Sequence, residues 1–301
     1  MCIRDSTKTV MPSDNVAEST AYELTSFDSD GFTLNTTDNS ANGSSKTYVA
    51  WCWKANGTGS SNTTGSINTT ATSANTTSGF SIITYTGNGT SGATIGHGLG
   101  VAPTFIALKN RSMTGGAAEP WRVYHDKNTS APATDYLALN TTAATADDAN
   151  AWNDTAPSST LITLGNGGAS NQNTETYVAY AFADVQGFSK FGSYTGNGSS
   201  SGPFCFCGFR PKLVITKMSS GLANWVMKTD GVGDADNPQT EFIYASATAA
   251  EGDGSHMDFL SNGFKWRDAA TNNNQDGSTY VYIAFAEAPF VNSEGIPCNA
   301  R

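Results

Sequence analysis

Three stretches of similar sequence decide the fold: Thr47–Trp53 (TYVAWCW), Thr176–Phe182 (TYVAYAF) and Thr279–Phe285 (TYVYIAF). In an extended strand, successive side chains point to opposite faces, so every second residue shares a face. One face of each copy is bulky, and the other carries a Tyr followed mostly by small residues. Because a strand that is apolar on both faces lies inside a covered sheet, we predict that each stretch is the central strand of a β-repeat. The bulky positions are Val49, Trp51, Trp53, Val178, Tyr180, Phe182, Val281, Ile283 and Phe285.

The composition indicates a β-protein rich in turns. The chain has 301 residues, enough for more than one core, and only 14% of them are charged. Its 31 glycines and its many Asn, Thr and Ser residues are typical of strands separated by turns. A net charge of −10 without a basic cluster argues against nucleic-acid binding. No apolar run is long enough to cross a bilayer, so we expect neither nucleic-acid binding nor membrane insertion.

The segments between the three stretches recur in the same order. Gly87-Asn88-Gly89 follows a predicted strand in one repeat, and Gly196-Asn197-Gly198 follows one in the next. Conserved order with variable loops predicts an all-β fold: tandem antiparallel β-sandwich domains with an incomplete N-terminal repeat. The predicted boundaries are 7–54 for the C-terminal part of a truncated upstream β-repeat, 55–78 for a linker rich in Asn, Thr, Ser and Gly, 79–186 and 187–291 for two β-sandwich repeats, and 292–301 for a C-terminal tail.

The beginning of the chain differs from the rest. Residues 1–6 (MCIRDS) resemble the translation of a sequencing-library adapter, so we expect the chain to be part of a longer protein. The truncated repeat lacks the segments that precede the closing stretch in the other repeats. We expect it to pack on the second repeat or to be poorly ordered, with Trp51 and Trp53 incompletely covered. It contains two predicted short strands, at 22–27 and 31–35.

The cysteine and histidine residues form no recognised metal or redox motif. Cys52 lies where the other copies have alanine and is predicted to be a small buried residue. Cys205 and Cys207 lie on one face of a predicted strand, too far apart for a disulfide. His97, in a glycine-rich stretch, suits either a catalytic or metal-binding loop or a plain turn. The second repeat has no matching histidine, which favours the turn.

Acidic residues occur in loops without a recognised ligand spacing. The candidate Ca²⁺ ligands, which must be oxygen donors, are Asp147, Asp148, Asp234, Asp236, Glu251 and Asp253. None belongs to an Asp-x-Asp-x-Asp-Gly loop, and solvated loop carboxylates are the alternative that we favour. No carboxylate pair is singled out as a glycosidase pair, and no serine nucleophile motif has a strand–turn–helix setting. We predict no catalytic residue, no metal site and no cofactor.

Two tryptophans, Trp121 and Trp225, recur at matching positions of the complete repeats. Exposed tryptophans stack on the faces of sugars, which makes these two the candidate ligand-binding residues. A tryptophan at the start of a strand is also a frequent core residue. Recurrence in both repeats suits either role, and the core role is the alternative that we favour.

Longer strings of sequence carry a resemblance to a known family. The strings are FSIITYTGNG at 80–89, IGHGLGVAP at 95–103, TYVAYAFAD at 176–184, FGSYTGNG at 191–198 and DFLSNGF at 258–264. They resemble a domain of unknown function that recurs in tail-fibre-like structural proteins of marine bacteriophages. The resemblance covers about residues 20–301, and Cys205 and Cys207 stand where that family has ordinary strand residues. It implies a virion component and brings no catalytic residues.

The resemblance leads to a functional expectation. We expect a non-enzymatic structural part of a bacteriophage virion, in the tail or tail fibre, with other virion proteins as partners and the virion as its location. Host-surface glycans are the expected ligands of the variable loops 110–120, 146–160 and 231–238, because loops on a rigid scaffold often carry recognition. A homo-oligomer is a further expected partner, without a heptad or collagen-like repeat to support it. A bacterial surface or secreted adhesin is the alternative, and a glycan-degrading enzyme is a third class.

Overall fold

A computed structural model describes residues 8–20, 24–28, 30–35, 37–114, 118–230 and 237–288. Regular structure within these ranges is almost entirely β, and the strand pairs are antiparallel, which confirms the predicted fold class. The elements are β1 (Leu24–Phe27), β2 (Phe32–Leu34), β3 (Ala71–Asn75), β4 (Phe80–Thr86), β5 (Ala93–Gly96), β6 (Phe105–Asn110), β7 (Arg122–His125), β8 (Asp135–Tyr136), β9 (Ala146–Asp147), α1 (Ala149–Trp152), β10 (Leu161–Leu164), β11 (Thr176–Phe182), β12 (Ser189–Thr195), β13 (Phe204–Phe206), β14 (Pro211–Met218), β15 (Val226–Thr229), β16 (Ile243–Tyr244), β17 (Met257–Leu260), β18 (Gly263–Trp266) and β19 (Thr279–Ala286).

Two five-stranded sheets organise the molecule. Sheet A has the strand order β3-β4-β11-β6-β7, and sheet B has the order β12-β19-β14-β15-β16. The repeated stretch is enclosed in both: β11 lies between β4 and β6, and β19 lies between β12 and β14. The prediction of a central strand is therefore confirmed for the second and third copies.

The bulky faces of β11 and β19 share one core. Val178, Tyr180 and Phe182 are buried, and they belong to the same apolar cluster as Ile283 and Phe285. The ring centroids of Phe182 and Phe285 are 5.6 Å apart. Because burial of apolar surface is the main stabilising term in folding, this shared cluster joins the two repeats.

The opposite faces of the two sheets are covered by smaller layers. The β5–β10 pair and α1 cover the Tyr177, Ala179 and Ala181 face of sheet A. The three-stranded sheet β13-β18-β17 covers the Tyr282 and Ala284 face of sheet B. Each repeat is thus a sandwich of a five-stranded sheet and a smaller layer, and the two sandwiches meet through the shared core.

The first copy, residues 47–53, is an exception. It is no strand of any sheet among the described residues, so that prediction is wrong for this copy. Trp51 and Trp53 nevertheless pack against the shared core, as partly buried side chains. The Trp53 ring lies 6.0 Å from Phe182 and 5.0 Å from Phe285, so equivalent residues of all three copies meet. Cys52 is exposed, contrary to the prediction, because none of the layers among the described residues covers its face.

Residues 55–78, predicted to be a linker, are instead part of the sandwich. Their second half contains β3, which pairs with β4 along the edge of sheet A. Their first half covers β5: Ile67 N donates to Thr94 O at 2.9 Å, and Ser66 N donates to Thr94 Oγ1 at 2.9 Å. The polar composition misled the prediction because these residues gain order from backbone and hydroxyl hydrogen bonds, with Ile67 as a buried apolar contact.

A tyrosine corner recurs in all three copies. The hydroxyl of Tyr48 donates to Asn39 O at 2.8 Å and accepts the Gly43 amide at 2.7 Å. The hydroxyls of the equivalent tyrosines donate to Gly168 O and Thr271 O, each at 2.7 Å, and accept the amides of Gln172 and Gln275 at 2.8 and 2.9 Å. The corner therefore forms locally, whether or not a sheet is built around it. The equivalent tyrosines are Tyr177 and Tyr280.

Candidate functional site

Trp121 and Trp225, the candidate ligand-binding residues, are fully buried. Trp121 Nε1 donates to Met11 O and Trp225 Nε1 donates to Ala138 O, both at 2.9 Å. In each case the acceptor belongs to the preceding repeat, so the tryptophan fastens one repeat to the next. Neither residue can stack on a sugar in this structure, because neither has exposed surface.

Further equivalent bonds join successive repeats. Glu18 N donates to Arg111 O, and Thr145 N donates to Ser219 O, both at 2.9 Å. Residues 8–20 therefore dock on sheet A in the way that residues 137–145 dock on sheet B. The truncated repeat packs on the second repeat, as the sequence leads one to expect.

His97 is buried in its glycine-rich turn. Its Nδ1 accepts the Leu99 amide at 3.2 Å, and its Nε2 lies 3.2 Å from Ser158 O. Burial lowers the pKa of His97, which keeps the ring neutral. No group of three or more His, Cys, Asp and Glu side chains in the described part of the chain could hold a metal ion. The contacts of His97 are those of a turn residue that satisfies backbone groups.

Cys205 and Cys207 are free and buried. Burial raises the pKa of the Cys207 thiol to about 12, and burial likewise raises the pKa of Cys205. Both thiols therefore behave as small core residues. Cys2 and Cys298 lie outside the described residues.

The acidic loop residues do not converge. Asp148 accepts the Asn150 amide at 3.0 Å at the start of α1 and lies 3.5 Å from Arg122. The other described acidic candidates, Asp147, Glu251 and Asp253, are exposed. Asp234 and Asp236 lie outside the described residues, as do 115–117 and 231–236 of the variable loops.

Two acidic residues, the half-buried Glu119 and the buried Glu175, lie at the 110–120 loop. Burial raises the pKa of Glu119, the nearby Glu175 raises it further, and Arg122 and Lys109 oppose the shift. Glu175 accepts hydrogen bonds from Thr114 N at 3.0 Å and from Thr114 Oγ1 at 2.6 Å. Its carboxylate therefore anchors the loop.

The three-stranded sheet β13-β18-β17 presents exposed aromatic side chains. β13 pairs with β18 so that Cys205 lies opposite Phe264 and faces the core. Because side chains alternate along a strand, Phe204 and Phe206 face solvent, with 44% and 63% of their surface exposed. Small residues are buried here and large apolar ones are exposed, the reverse of the usual preference. We call Phe204, Phe206 and the neighbouring Lys265 the aromatic face.

Charged groups lie beside the aromatic face. Phe204 is paired with Lys265, which is paired with Asp258 on the next strand. Asp258 also forms a 3.0 Å ion pair with Arg267. Apolar rings flanked by hydrogen-bonding groups suit a ligand with an apolar face and polar edges, such as a pyranose ring.

The sequence contains a signal for this face that the prediction did not use. In residues 204–209 (FCFCGF), alternation places the two cysteines together and the first two phenylalanines together. Alternation alone does not say which set points inward, and the usual burial scale favours phenylalanine. The tertiary structure decides otherwise, because the small cysteines fit beneath Phe264 and Tyr282.

A polar cleft of about 580 Å³ lies where the two repeats meet. Residues 127–130 form one wall, and Ser193, Ser219 and Ser220 contribute to the other. Asn128 Oδ1 accepts a hydrogen bond from Thr145 Oγ1 at 2.7 Å, while its buried Nδ2 has no partner within the described structure. The cleft offers hydroxyl and amide groups to a small polar ligand.

The fold defines a class: an all-β protein of interlocked repeats. No helix among the described residues is both long and apolar enough to span a membrane. The chain belongs to the family described as Domain of unknown function (DUF7483), which matches residues 2–289. No match was found among curated proteins or among solved structures.

Proposed function

We propose that this chain is a structural module of a bacteriophage virion, in the tail or tail fibre, which binds host-surface glycans on its aromatic face. The virion assignment is supported by the resemblance of the repeated strings to a domain that recurs in tail-fibre-like proteins of marine bacteriophages. The glycan assignment is carried by one observation: Phe204 and Phe206 point to solvent while Cys205 between them is buried. Outward aromatic rings on a rigid sheet need no reordering to stack on a ligand.

A glycan array, followed by titration of the best ligand, tests the binding site. The double variant Phe204→Ala/Phe206→Ala should weaken binding at least about tenfold, equivalent to about 1.4 kcal/mol. The matched control is Leu222→Ala, because Leu222 is also apolar and exposed but lies outside the β13 sheet. Unchanged binding by the double variant would contradict the aromatic face as the site.

A turnover assay on the bound polysaccharide separates binding from catalysis. We expect binding without released product. Product release would favour the glycan-degrading enzyme, for which two carboxylates about 5–10 Å apart in a cleft would then have to be identified.

A bacterial adhesin would be carried on the bacterial surface, whereas a virion protein would be carried on the phage particle. Antibody labelling of purified phage particles should mark the tail if the virion assignment is right. Labelling of bacterial surfaces without labelling of particles would favour a bacterial adhesin with the same domains.

A further inference from the structure

Residues 47–53 share the tyrosine bonds and the alternating burial of the closing strands but have no strand neighbours among the described residues. Tyr48 makes the same two hydroxyl bonds as its equivalents. Side chains alternate as in a strand: Val49, Trp51 and Trp53 are partly buried, while Tyr48 and Cys52 are exposed. The segment pairs with no strand among the residues that the structure describes. Within the described structure, both of its backbone edges are therefore available for pairing.

Exposure in this copy falls on residues whose equivalents are buried. Tyr48 is 47% exposed, whereas Tyr177 and Tyr280 are fully buried. Phe32, in a hairpin that matches β17–β18 in sequence, is 38% exposed, whereas its equivalent Phe264 is fully buried. An apolar surface of this kind normally has a partner.

The complete repeats show what covers these positions. Tyr85 stacks on Tyr177 with centroids 5.0 Å apart, and Tyr194 stacks on Tyr280 at 4.9 Å. The next turn is clamped in the same way, since Asn171 Nδ2 donates to Asn88 Oδ1 at 3.1 Å and Asn274 Nδ2 donates to Asn197 Oδ1 at 3.0 Å. The covering element is in both cases the repeat's first strand with its Gly-Asn-Gly turn, which packs too closely for a side chain: a Cβ on Gly87 would lie 2.3 Å from Gln172 O.

We propose that residues 47–53 and the exposed side chain of Tyr48 are a docking surface for the N-terminal half of another repeat of this family, joined to the chain ahead of residue 8. In both complete repeats, the strands that flank the closing strand precede it in the sequence. Met11 and Ala138 accept equivalent tryptophan bonds, so residue 8 corresponds to residue 135. The occupant would supply strands equivalent to β4 and β6, which closes a third sheet around the shared core.

Cys52 is a natural reporter for this proposal, because its equivalents Ala181 and Ala284 are fully buried. In a Cys2→Ser/Cys298→Ser background, maleimide labelling under native conditions should reach Cys52 quickly, while Cys205 and Cys207 stay protected. Labelling should not depend on protein concentration.

The decisive variant is a chimaera with a copy of residues 79–134 fused ahead of residue 8. This graft contains no cysteine. Labelling of Cys52 should slow at least about tenfold, and the graft should resist proteolysis. The control carries Ala107→Pro in the grafted copy of β6, which removes a ladder hydrogen bond, and should label quickly again.

Three results would overturn the proposal. One is an unchanged rate at Cys52 in the chimaera. The second is loss of protection at Cys205, because Cys205 lies in the separate core beneath β13, which a correctly docked graft leaves intact. The third is concentration-dependent protection of Cys52 in the 301-residue chain, which would make a second copy the occupant.

Discussion

The first and second copies of the closing segment differ at three of seven positions, but their structural surroundings differ almost completely. Residues 176–182 lie between two strands and under an outer layer, and they are almost completely buried. Residues 47–53 reach the same core with Trp51 and Trp53 but have no strand partner within the described structure. The comparison separates what a short sequence does by itself from what its neighbours impose.

Two levels of structure can be distinguished in this way. The tyrosine corner is present in both copies, with hydroxyl bonds of 2.7–2.8 Å. It needs only residues within ten positions of each other. Among the described residues, the strand ladder is present in the second copy only, because its hydrogen bonds need strands that are distant in sequence.

The largest difference in stability between the copies should appear when the aromatic rings at which the three copies meet are truncated to alanine. Phe182→Ala should cost about 3–5 kcal/mol in the free energy of unfolding, because the ring is buried on all sides. Trp53→Ala should cost about half as much, since Trp53 is only partly buried. Urea denaturation measures both, and equal losses would show that the first copy is held as firmly as the second.

Removing the tyrosine hydroxyl shows how much each tyrosine corner contributes to the free energy of unfolding. Tyr177→Phe leaves the Gly168 carbonyl and the Gln172 amide without their partner, which should cost about 1–3 kcal/mol. Tyr48→Phe should cost less than about 0.5 kcal/mol, because water replaces the bonds at an exposed site. Tyr280→Phe is the matched control and should resemble Tyr177→Phe; a large loss for Tyr48→Phe would contradict this account.

The contact between the two complete repeats should depend on pH. His125 Nδ1 accepts the Lys127 amide and its Nε2 donates to Tyr282 O at 3.1 Å, so the ring is neutral. Burial lowers its pKa below the usual value of 6.5, as it does for His97. The stability that neutral His125 contributes is complete above about pH 6.5 and is lost as the pH falls toward its folded pKa.

Urea midpoints measured between pH 8 and pH 5 test this pH dependence. The urea midpoint of the His125→Gln variant should fall less between pH 8 and pH 5 than that of the wild type. The fall that remains is the part due to His97. Parallel curves for the wild type and the variant would show that His125 does not contribute.

The smallest effect should be that of Cys52→Ala, which gives the first copy the residue found in the other two. Because Cys52 is exposed, the free energy of unfolding should change by less than about 0.5 kcal/mol. The reverse exchange, Ala181→Cys, adds a sulfur atom to a closed core and should cost about 1–3 kcal/mol. A substantial loss for Cys52→Ala, measured in the same urea series, would mean that this face is covered in solution.

Much of the candidate site lay beyond sequence reasoning. Recurrence marked Trp121 and Trp225, but a repeated tryptophan is as consistent with a contact between repeats as with a ligand site, and burial decided for the contact. The aromatic face was missed because alternation assigns residues to two faces without saying which one is inside. Phe204 and Phe206 point outward since the space beneath β13 is filled by Phe264 and neighbouring rings.

The sequence by itself determined the local features: an all-β chain, the two-residue alternation of the closing strands and the order of elements in each repeat. These follow from side-chain geometry and turn chemistry that act over a few residues. Only the tertiary structure decided that the bulky faces of successive repeats meet in one core, that residues 55–78 join a sheet, and that the first closing segment has no strand partner in the described part of the chain. Those outcomes depend on which distant segments are at hand to bury an apolar face or to complete a hydrogen bond, and no local pattern records that.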